Sequence, residues 1–508
     1  MTHTAHEAPE ALVRLKQHLG QIDDLGKAGA VLYWDMTTYM PPGGQAARGR
    51  QLAALNQLAH EKFTAAETGH LLDSLSAYAE SLPHDHDDAA LIRVTRRNYD
   101  RATKIPTAFV GEFSAHQATT YETWTRARPA NDFGMVRDLL KKTLDYSRRI
   151  AEYYGGYEHI ADPLIDEADY GMKAATIRAV FAALREQLVP LVRAITTQPP
   201  ADDSVVKRFF PEAAQIAFGE AVIKDYGYDF ERGRQDKTVH PYMIRMNSGD
   251  IRILTRVNEH DFVDAFFSTA HEAGHALYEL GIDPAYDGTP LASGTSAGVH
   301  ESQSRTWENI VGRSRAFWEH YYPVAQAYFP DALADVPLET FYRAVNKVTP
   351  SLIRVDADEV TYNLHVMLRF DLELALLEGT LEIDDLPRAW NDRYTADLGI
   401  TPPDDKDGCL QDVHWYGGII GGAFQGYTLG NLMSAQFYEA ALQAHPEIPA
   451  EIGQGKFGTL HTWLKTNVYQ YGSKFTADEL LQRATGTGLQ VAPLIRYLKA
   501  KYGDLYAL

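Results

Sequence analysis

The chain is poor in the features that would mark several protein classes. Of its 508 residues only Cys409 is a cysteine. An intrachain disulfide and a cysteine-rich metal site are both excluded. No run of about eighteen apolar residues occurs, which leaves no membrane-spanning helix to expect. Positive charge is scarce: 48 Lys and Arg face 68 Asp and Glu, for a net charge of -20. Such a surface repels phosphate backbones, and no local basic run offsets it, so no nucleic-acid partner is expected. The opening residues Met1–Glu7 lack a basic segment, an apolar run and a cleavage site, so no secretory signal is expected. A cytoplasmic protein without membrane contact is the simplest expectation.

What remains is ordinary globular composition, with 45% hydrophobic residues, in a chain long enough for a large core. Most of it reads as helix. Leu12, Leu15, Leu19, Ile22 and Leu25 recur at three or four residues within a stretch from Pro9 to Ala30. Tyr39–Gly44 breaks that order with two prolines and two glycines. A long periodic stretch follows from Ala47 to about Glu80, stopped by Pro83. Further helices are expected at about 88–104, 106–126, 132–158, 172–196 and 214–226, with a loop at Gln198–Asp203.

The character changes from His240 to Val257. Tyr242, Ile244, Ile251, Ile253 and Thr255 nearly alternate around a turn at Asn247–Asp250, which predicts a short hairpin. Helices resume at Asp261 and run to the end. The expected fold is therefore mainly α with a small β insert, and regular βαβ units are absent.

The most informative local pattern is His271-Glu272-Ala273-Gly274-His275, an HExxH motif. On a helix, residues i and i+4 share a face, so both imidazoles can reach one metal ion. Glu272 is placed to deprotonate water beside that ion. At about 100° per residue from His271, Phe262, Phe266, Thr269, Ala273, Leu277 and Leu280 gather at about 160° to 240°. The helix thus has a packing side opposite its histidines. Gly281 is the expected stop, and Gly274 in the interior predicts close approach by another element.

Zinc requires a third protein ligand and an open position. Glu301 is the best candidate, on a helix that Gly294-Thr295-Ser296 would start and that continues through Trp307 and Ile310. His300 is its rival. A second cluster is Gly408–Trp415 with Tyr427, in which His414 and Tyr427 could donate to a developing oxyanion or simply form a buried polar network. A third is Ile353–Tyr362. There Arg354 could clamp a carboxylate or form a structural ion pair, while Asp358 and Glu359 could cap the apolar helix Leu364–Leu376. Cys409 is a poor nucleophile candidate.

Taken in order along nearly the whole chain, these segments resemble the carboxypeptidase Taq family of metallocarboxypeptidases. Tyr33–Gly43 is similar to its N-terminal signature. His240-Pro241-Tyr242 resembles its HPF element, and Asp250-Ile251-Arg252 its DxRxT element, with Leu254 in place of Thr. His271–His275 and His300–Arg305 resemble its zinc-binding elements, Arg354–Tyr362 its ADE-containing element, and Gly408–Trp415 fits GxxQDxHW in full. The resemblance implies a helical, zincin-like metallopeptidase with a deep groove, acting as one catalytic domain over 1–508. Its helical N-terminal part would cover about 1–235 and its metal-site part about 236–508.

The resemblance further implies a homodimer that removes residues from peptide C-termini with broad preference, proline being disfavoured. The ion would be zinc, with cobalt or manganese as alternatives, held by His271, His275 and Glu301. Glu272 would be the general base, His414 and Tyr427 the transition-state donors, and Arg354 the reader of the terminal carboxylate. An endopeptidase, or a groove that only binds peptides, are the rival readings. One segment departs from the family: where FGYFPTY is usual, this chain has small residues and Gln425 before Tyr427.

Overall fold

The computed structural model describes residues 9–508. Met1–Glu7, on which the expectation about a secretory signal rests, lie outside the described residues. The chain is predominantly helical with one three-stranded sheet. Among the described residues no helix is long and apolar enough to cross a membrane.

The first helix, α1 (Glu10–Thr38), runs past the expected end at Ala30 and carries Tyr33, Trp34 and Asp35. Nothing in that stretch breaks a helix, and the chain turns only at Pro41-Pro42. The single helix expected over 47–80 is instead three: α2 (Gln45–Phe63), α3 (Ala66–Ser74) and α4 (Ser76–Glu80). Then come α5 (Asp87–Lys104), α6 (Thr107–Ala130) and α7 (Gly134–Tyr154). Helix α7 stops before Gly155 and Gly156, whose φ of 60° and 64° leave the helical region. The short α8 (Asp162–Ile165) precedes α9 (Ala174–Thr196) and α10 (Glu212–Tyr226).

The expected hairpin is present as β2 (Tyr242–Asn247) and β3 (Asp250–Thr255), paired antiparallel. Asn247 Oδ1 accepts from Gly249 N at 2.7 Å and closes the turn. A third strand, β1 (Gln235–Lys237), lies parallel to β3 on its other side, giving the order β1-β3-β2. Its three polar residues carry no apolar alternation, which is why the sequence does not announce it.

Among the described residues two apolar cores form. The larger runs from Phe109 to Tyr506 and encloses α11 (Phe262–Gly281). The smaller joins α1, α3 and α5 to the segment after α11, through Ile282, Tyr286, Leu291 and Ala292. Helix α11 packs on β3, on α10 and on α12 (Ala297–Arg305), and α12 also packs on the helix Gln425–Ala444. This places the HExxH helix at the centre of the larger core.

Candidate metal centre

Helix α11 begins at Asp261, whose side chain accepts from Val263 N at 3.2 Å. The expected packing face is buried: Phe262, Phe266, Thr269, Ala273, Leu277 and Leu280 are all covered. Aromatic rings fill it, with Phe262 stacked on Phe266 at 5.5 Å and Phe218 and Trp318 against Phe266. The opposite side is covered too, since Phe267, Ala270, Ala276 and Tyr278 are buried. The helix is therefore enclosed on nearly every side, not two-sided. His271 and His275 keep a fifth or less of their side-chain surface, 20% and 16%.

Gly274 has the neighbour its position predicts. A Cβ there would lie 2.6 Å from the Gln303 carbonyl oxygen, so α12 crosses directly over it. Gly430, on the helix Gln425–Ala444, does the same from the other side, where a Cβ would lie 2.7 Å from the Glu301 side chain. Gly281 is the last residue of α11 but does not adopt the left-handed conformation of a glycine stop; glycine is needed there for packing, since a Cβ would meet the Tyr469 ring at 2.6 Å.

Helix α12 starts at Ser296, which accepts from Val299 N at 3.1 Å. Asp169, fully buried, accepts from Gly298 N at 2.7 Å. After Arg305 the helix widens into a π-helical turn, Thr306–Val311. Glu301 Oε2 lies 3.5 Å from His275 Nε2 and 3.7 Å from His271 Nε2. The ligand atoms of His271, His275 and Glu301 all fall within 4.8 Å of one another. Two ligands of a tetrahedral zinc, each about 2.0–2.2 Å from it, lie about 3.3–3.6 Å apart. Two imidazoles and a carboxylate at this spacing fit a divalent ion.

Each of these three side chains is held from behind. Glu308, in the π turn, lies 2.8 Å from His271 Nδ1. His300 Nδ1 lies 2.6 Å from His275 Nδ1, and His300 Nε2 lies 2.9 Å from Glu279 Oε1. His300, the rival ligand, is thus placed behind His275 rather than beside Glu301. Arg305 Nε donates to Glu301 Oε1 at 2.7 Å, which leaves Oε2 to face the histidines. Supporting bonds of this kind fix which nitrogen faces a metal.

The electrostatics follow the burial. Burial lowers His275 to about 4, against Glu301, so its imidazole is neutral and its lone pair free. Burial raises Glu272 to about 7, partly opposed by the charge of His271. Burial also raises Glu308, but Arg305 and His271 outweigh it and hold the carboxylate at about 2. Glu301 likewise stays well below the usual carboxylate range despite burial, through Arg305 and both histidines.

The second cluster forms a connected network. Asp412 accepts from Arg354 Nε at 2.7 Å and from Arg369 Nε at 3.0 Å, and its other oxygen meets His414 Nδ1. His414 Nε2 then points toward Tyr427 Oη, 3.4 Å away. Arg354 also donates to Tyr362 Oη at 2.9 Å, and Arg305 stacks on the Tyr362 ring at 4.6 Å. The ring of Tyr362 therefore bridges Glu301's partner Arg305 and the His414–Tyr427 pair. Arg354 is 6% exposed, with two of its three nitrogens engaged.

Other expectations separate here. Asp358 does not cap the helix Tyr362–Glu378 itself but accepts from Val360 N and Thr361 N at 2.9 and 3.0 Å, closing the turn that leads into it. Glu359 does not cap it either. It turns to the C-terminal helix and accepts from Lys501, Tyr497 and Tyr502 at 2.6 to 2.7 Å. Cys409 is buried, which raises its thiol well above the ordinary range and leaves it protonated. Leu254 is fully buried, while Thr255 accepts from Thr269 at 3.2 Å. Gln425 is also buried and donates to Asp169 at 3.0 Å, tying the altered segment to the start of α12.

Sequence reasoning missed Glu308, Glu279, Arg369 and the role of Asp412 as the hub joining Arg354, Arg369 and His414. A signal for Glu308 existed, since Glu301, Arg305 and Glu308 stand at i, i+4 and i+7. Arg369 and Glu279 sit in apolar surroundings that read as core.

Known proteins resemble this chain along its length. The profile of the family described as carboxypeptidase Taq (M32) metallopeptidase matches residues 14–502. Thermostable carboxypeptidase 1 of Thermus thermophilus is 40% identical over 492 residues, 95% of this chain and 96% of that protein. Carboxypeptidase 1 of Bacillus subtilis is 36% identical over 491 residues, covering 96% and 97% of the two chains. The crystal structure of the M32 carboxypeptidase from Deinococcus radiodurans R1 superposes with a TM-score of 0.96 at 49% identity, covering 98% of this chain and all of that one. With His271, His275 and Glu301 gathered at metal-binding distance, the protein is a metallocarboxypeptidase and belongs to the carboxypeptidase Taq (M32) family.

Proposed function

We propose that this protein releases amino acids one at a time from the free C-terminus of peptides, with broad side-chain tolerance and with terminal proline disfavoured. One observation carries the reading: two neutralisable imidazoles and a carboxylate converge on one point, beside a buried carboxyl poised at about 7. A divalent ion bound there would polarise the scissile carbonyl and acidify water. Zinc suits two imidazoles and one carboxylate best, with cobalt and manganese as alternatives.

The roles follow from position. His271, His275 and Glu301 are the ligands. Glu272 takes the proton from the attacking water and passes it to the leaving amine, a task suited to a carboxyl that titrates near neutrality. No covalent enzyme intermediate is needed. His414 and Tyr427 donate to the carbonyl oxygen as it gains charge, and Asp412 holds His414 with Nε2 outward. Arg354 reads the substrate's terminal carboxylate through the nitrogen that Asp412 and Tyr362 leave over.

The chain acts as one catalytic unit over 1–508, with an N-terminal helical part at about 1–235 and a metal-site part at about 236–508. It works as a cytoplasmic homodimer. Support for the dimer comes from α1 and α2, where Val13, Val31, Tyr33 and Leu58 stay exposed. Helix α2 buries none of its own residues.

The test compares an unblocked peptide with its C-terminal amide by mass. Stepwise shortening of the free acid alone supports the reading. Equal cleavage of both, or cuts at internal bonds, contradicts it.

A further inference from the structure

A second cavity lies away from the metal centre, where α5 faces the segment after α7 and the loop before Thr476. Its volume is about 430 Å³. None of its lining residues belongs to the metal site or to the Asp412 network. Its charge is opposite to that of the molecule. Seven lysines and arginines line it against four carboxylates, whereas the whole chain has 48 against 68.

Three of those four carboxylates are already engaged, and Asp100 stands only at the edge of ion-pair distance. Asp162 accepts from His159 N and Ala174 N at 3.1 and 2.9 Å, and Asp166 accepts from Gly171 N at 2.8 Å. Glu479 pairs with His84 at 2.8 Å, and Asp100 lies 3.9 Å from Arg96.

Several of the cations have no such partner. Among the described residues, Arg93, Arg97, Lys104 and Lys173 meet no carboxylate within salt-bridge distance. Arg93 spends its guanidinium on the carbonyls of His84 and Lys474, at 3.1 and 3.0 Å. Arg97 lies over the Tyr170 ring at 4.2 Å, and its one side-chain bond is from Nε to Asn98 at 3.2 Å. Both of its terminal nitrogens remain free to donate. Residues 93, 97 and 101 stand at i, i+4 and i+8, so the three arginines share one face of α5.

Grouping partly buried guanidiniums is costly: burial, with Arg101 and Arg93 beside it, holds Arg97 below its ordinary range, opposed in part by Tyr170 and Asp166. A bound anion removes that cost. Arginine forks and a lysine match the oxygens of a phosphate group, and the Tyr154 and Tyr170 rings beside them offer a wall for a carbon body. The rim reaches solvent at Gly155, Tyr170 and Lys173, which are exposed.

We propose that this cavity is a binding site for a small phosphate-type dianion, held by Arg97 and Lys173, which both line it. The proposal is independent of the peptidase reading, since it uses none of the same residues.

Calorimetric titration of the metal-loaded protein with inorganic phosphate, and separately with AMP, tests it. Saturable binding in the millimolar range or tighter is expected. AMP binding more tightly identifies a phosphorylated small molecule as the occupant, and equal affinities identify the free ion. Arg97→Gln should weaken either ligand about tenfold or more, the loss of a charge-assisted pair. Lys173→Glu, at an exposed position, should weaken it as well. Peptide hydrolysis should be unchanged in both variants. Absence of saturable binding, or binding that survives both substitutions as it would at the metal centre, overturns the proposal.

Discussion

Glu308 Oε2 accepts from His271 Nδ1 at 2.8 Å, and this contact leaves Nε2 of His271 as the nitrogen that faces Glu301. The carboxylate comes from a π-helical turn one step beyond the ligand helix, where Arg305 also bonds it at 3.2 Å. Replacing Glu308 by Gln removes the charge that orients and strengthens the ligand. Metal affinity should fall by about 10- to 100-fold, as for other orienting carboxylates. Competition with a fluorescent chelator measures it, and wild-type affinity in the variant would refute the orienting role.

Gly274→Ala separates helix propensity from packing. Alanine would favour the helix by about 1 kcal/mol. The added Cβ, however, would sit 2.6 Å from the backbone oxygen of Gln303, which cannot rotate aside. Overpacking of this kind costs about 1–3 kcal/mol, so packing should win. The variant should melt earlier and bind metal more weakly, because α12 carries Glu301 away. A higher melting temperature would show that the two helices yield readily.

Asp412 makes stability depend on acid. Burial alone would raise its pKa, yet Arg369, His414 and Arg354 hold it well below the ordinary carboxylate range. A carboxyl with a depressed folded pKa contributes stability that is fully present above the unfolded value, about 3.9. That contribution is lost as pH falls from about 5 toward the folded value. Asp412→Asn should cost about 3–5 kcal/mol near neutrality, because it strands two buried arginines. It should also flatten the fall in melting temperature between about pH 5 and pH 3. A parallel fall in both proteins would remove Asp412 from the account.

Metal removal should be reversible. Chelation should abolish peptide hydrolysis while helical circular dichroism persists, because the two apolar cores do not depend on the site. Added zinc should restore activity. Hydrolysis that persists in metal-free protein would contradict the metal dependence.

The helical class, the hairpin and the pairing of His271 with His275 on one helix face were legible because they depend on local rules. Periodicity marks α11, the i and i+4 spacing marks His271 and His275, and Ser296 marks the start of α12. Gly274 even announced the helix crossing over it. What escaped depends on tertiary placement. His300 and Glu301 are adjacent in sequence, and only the course of α12 decides that one faces the ligands while the other backs His275. Strand β1 has no apolar pattern and exists because β3 offers a free edge. Glu359 reads as a helix cap, but a C-terminal lysine and two tyrosines more than a hundred residues away claim it.

The most direct test of the chemistry is Glu272→Gln, assayed with its metal content. Glu272 is buried and titrates near 7, yet it is not one of the three residues that cluster at metal-binding distance. The variant should therefore keep one ion per chain and lose turnover by about 10²- to 10⁴-fold, the usual contribution of a general base. A metal-loaded variant that shortens peptides at close to the wild-type rate would contradict the assignment of Glu272 as the proton carrier.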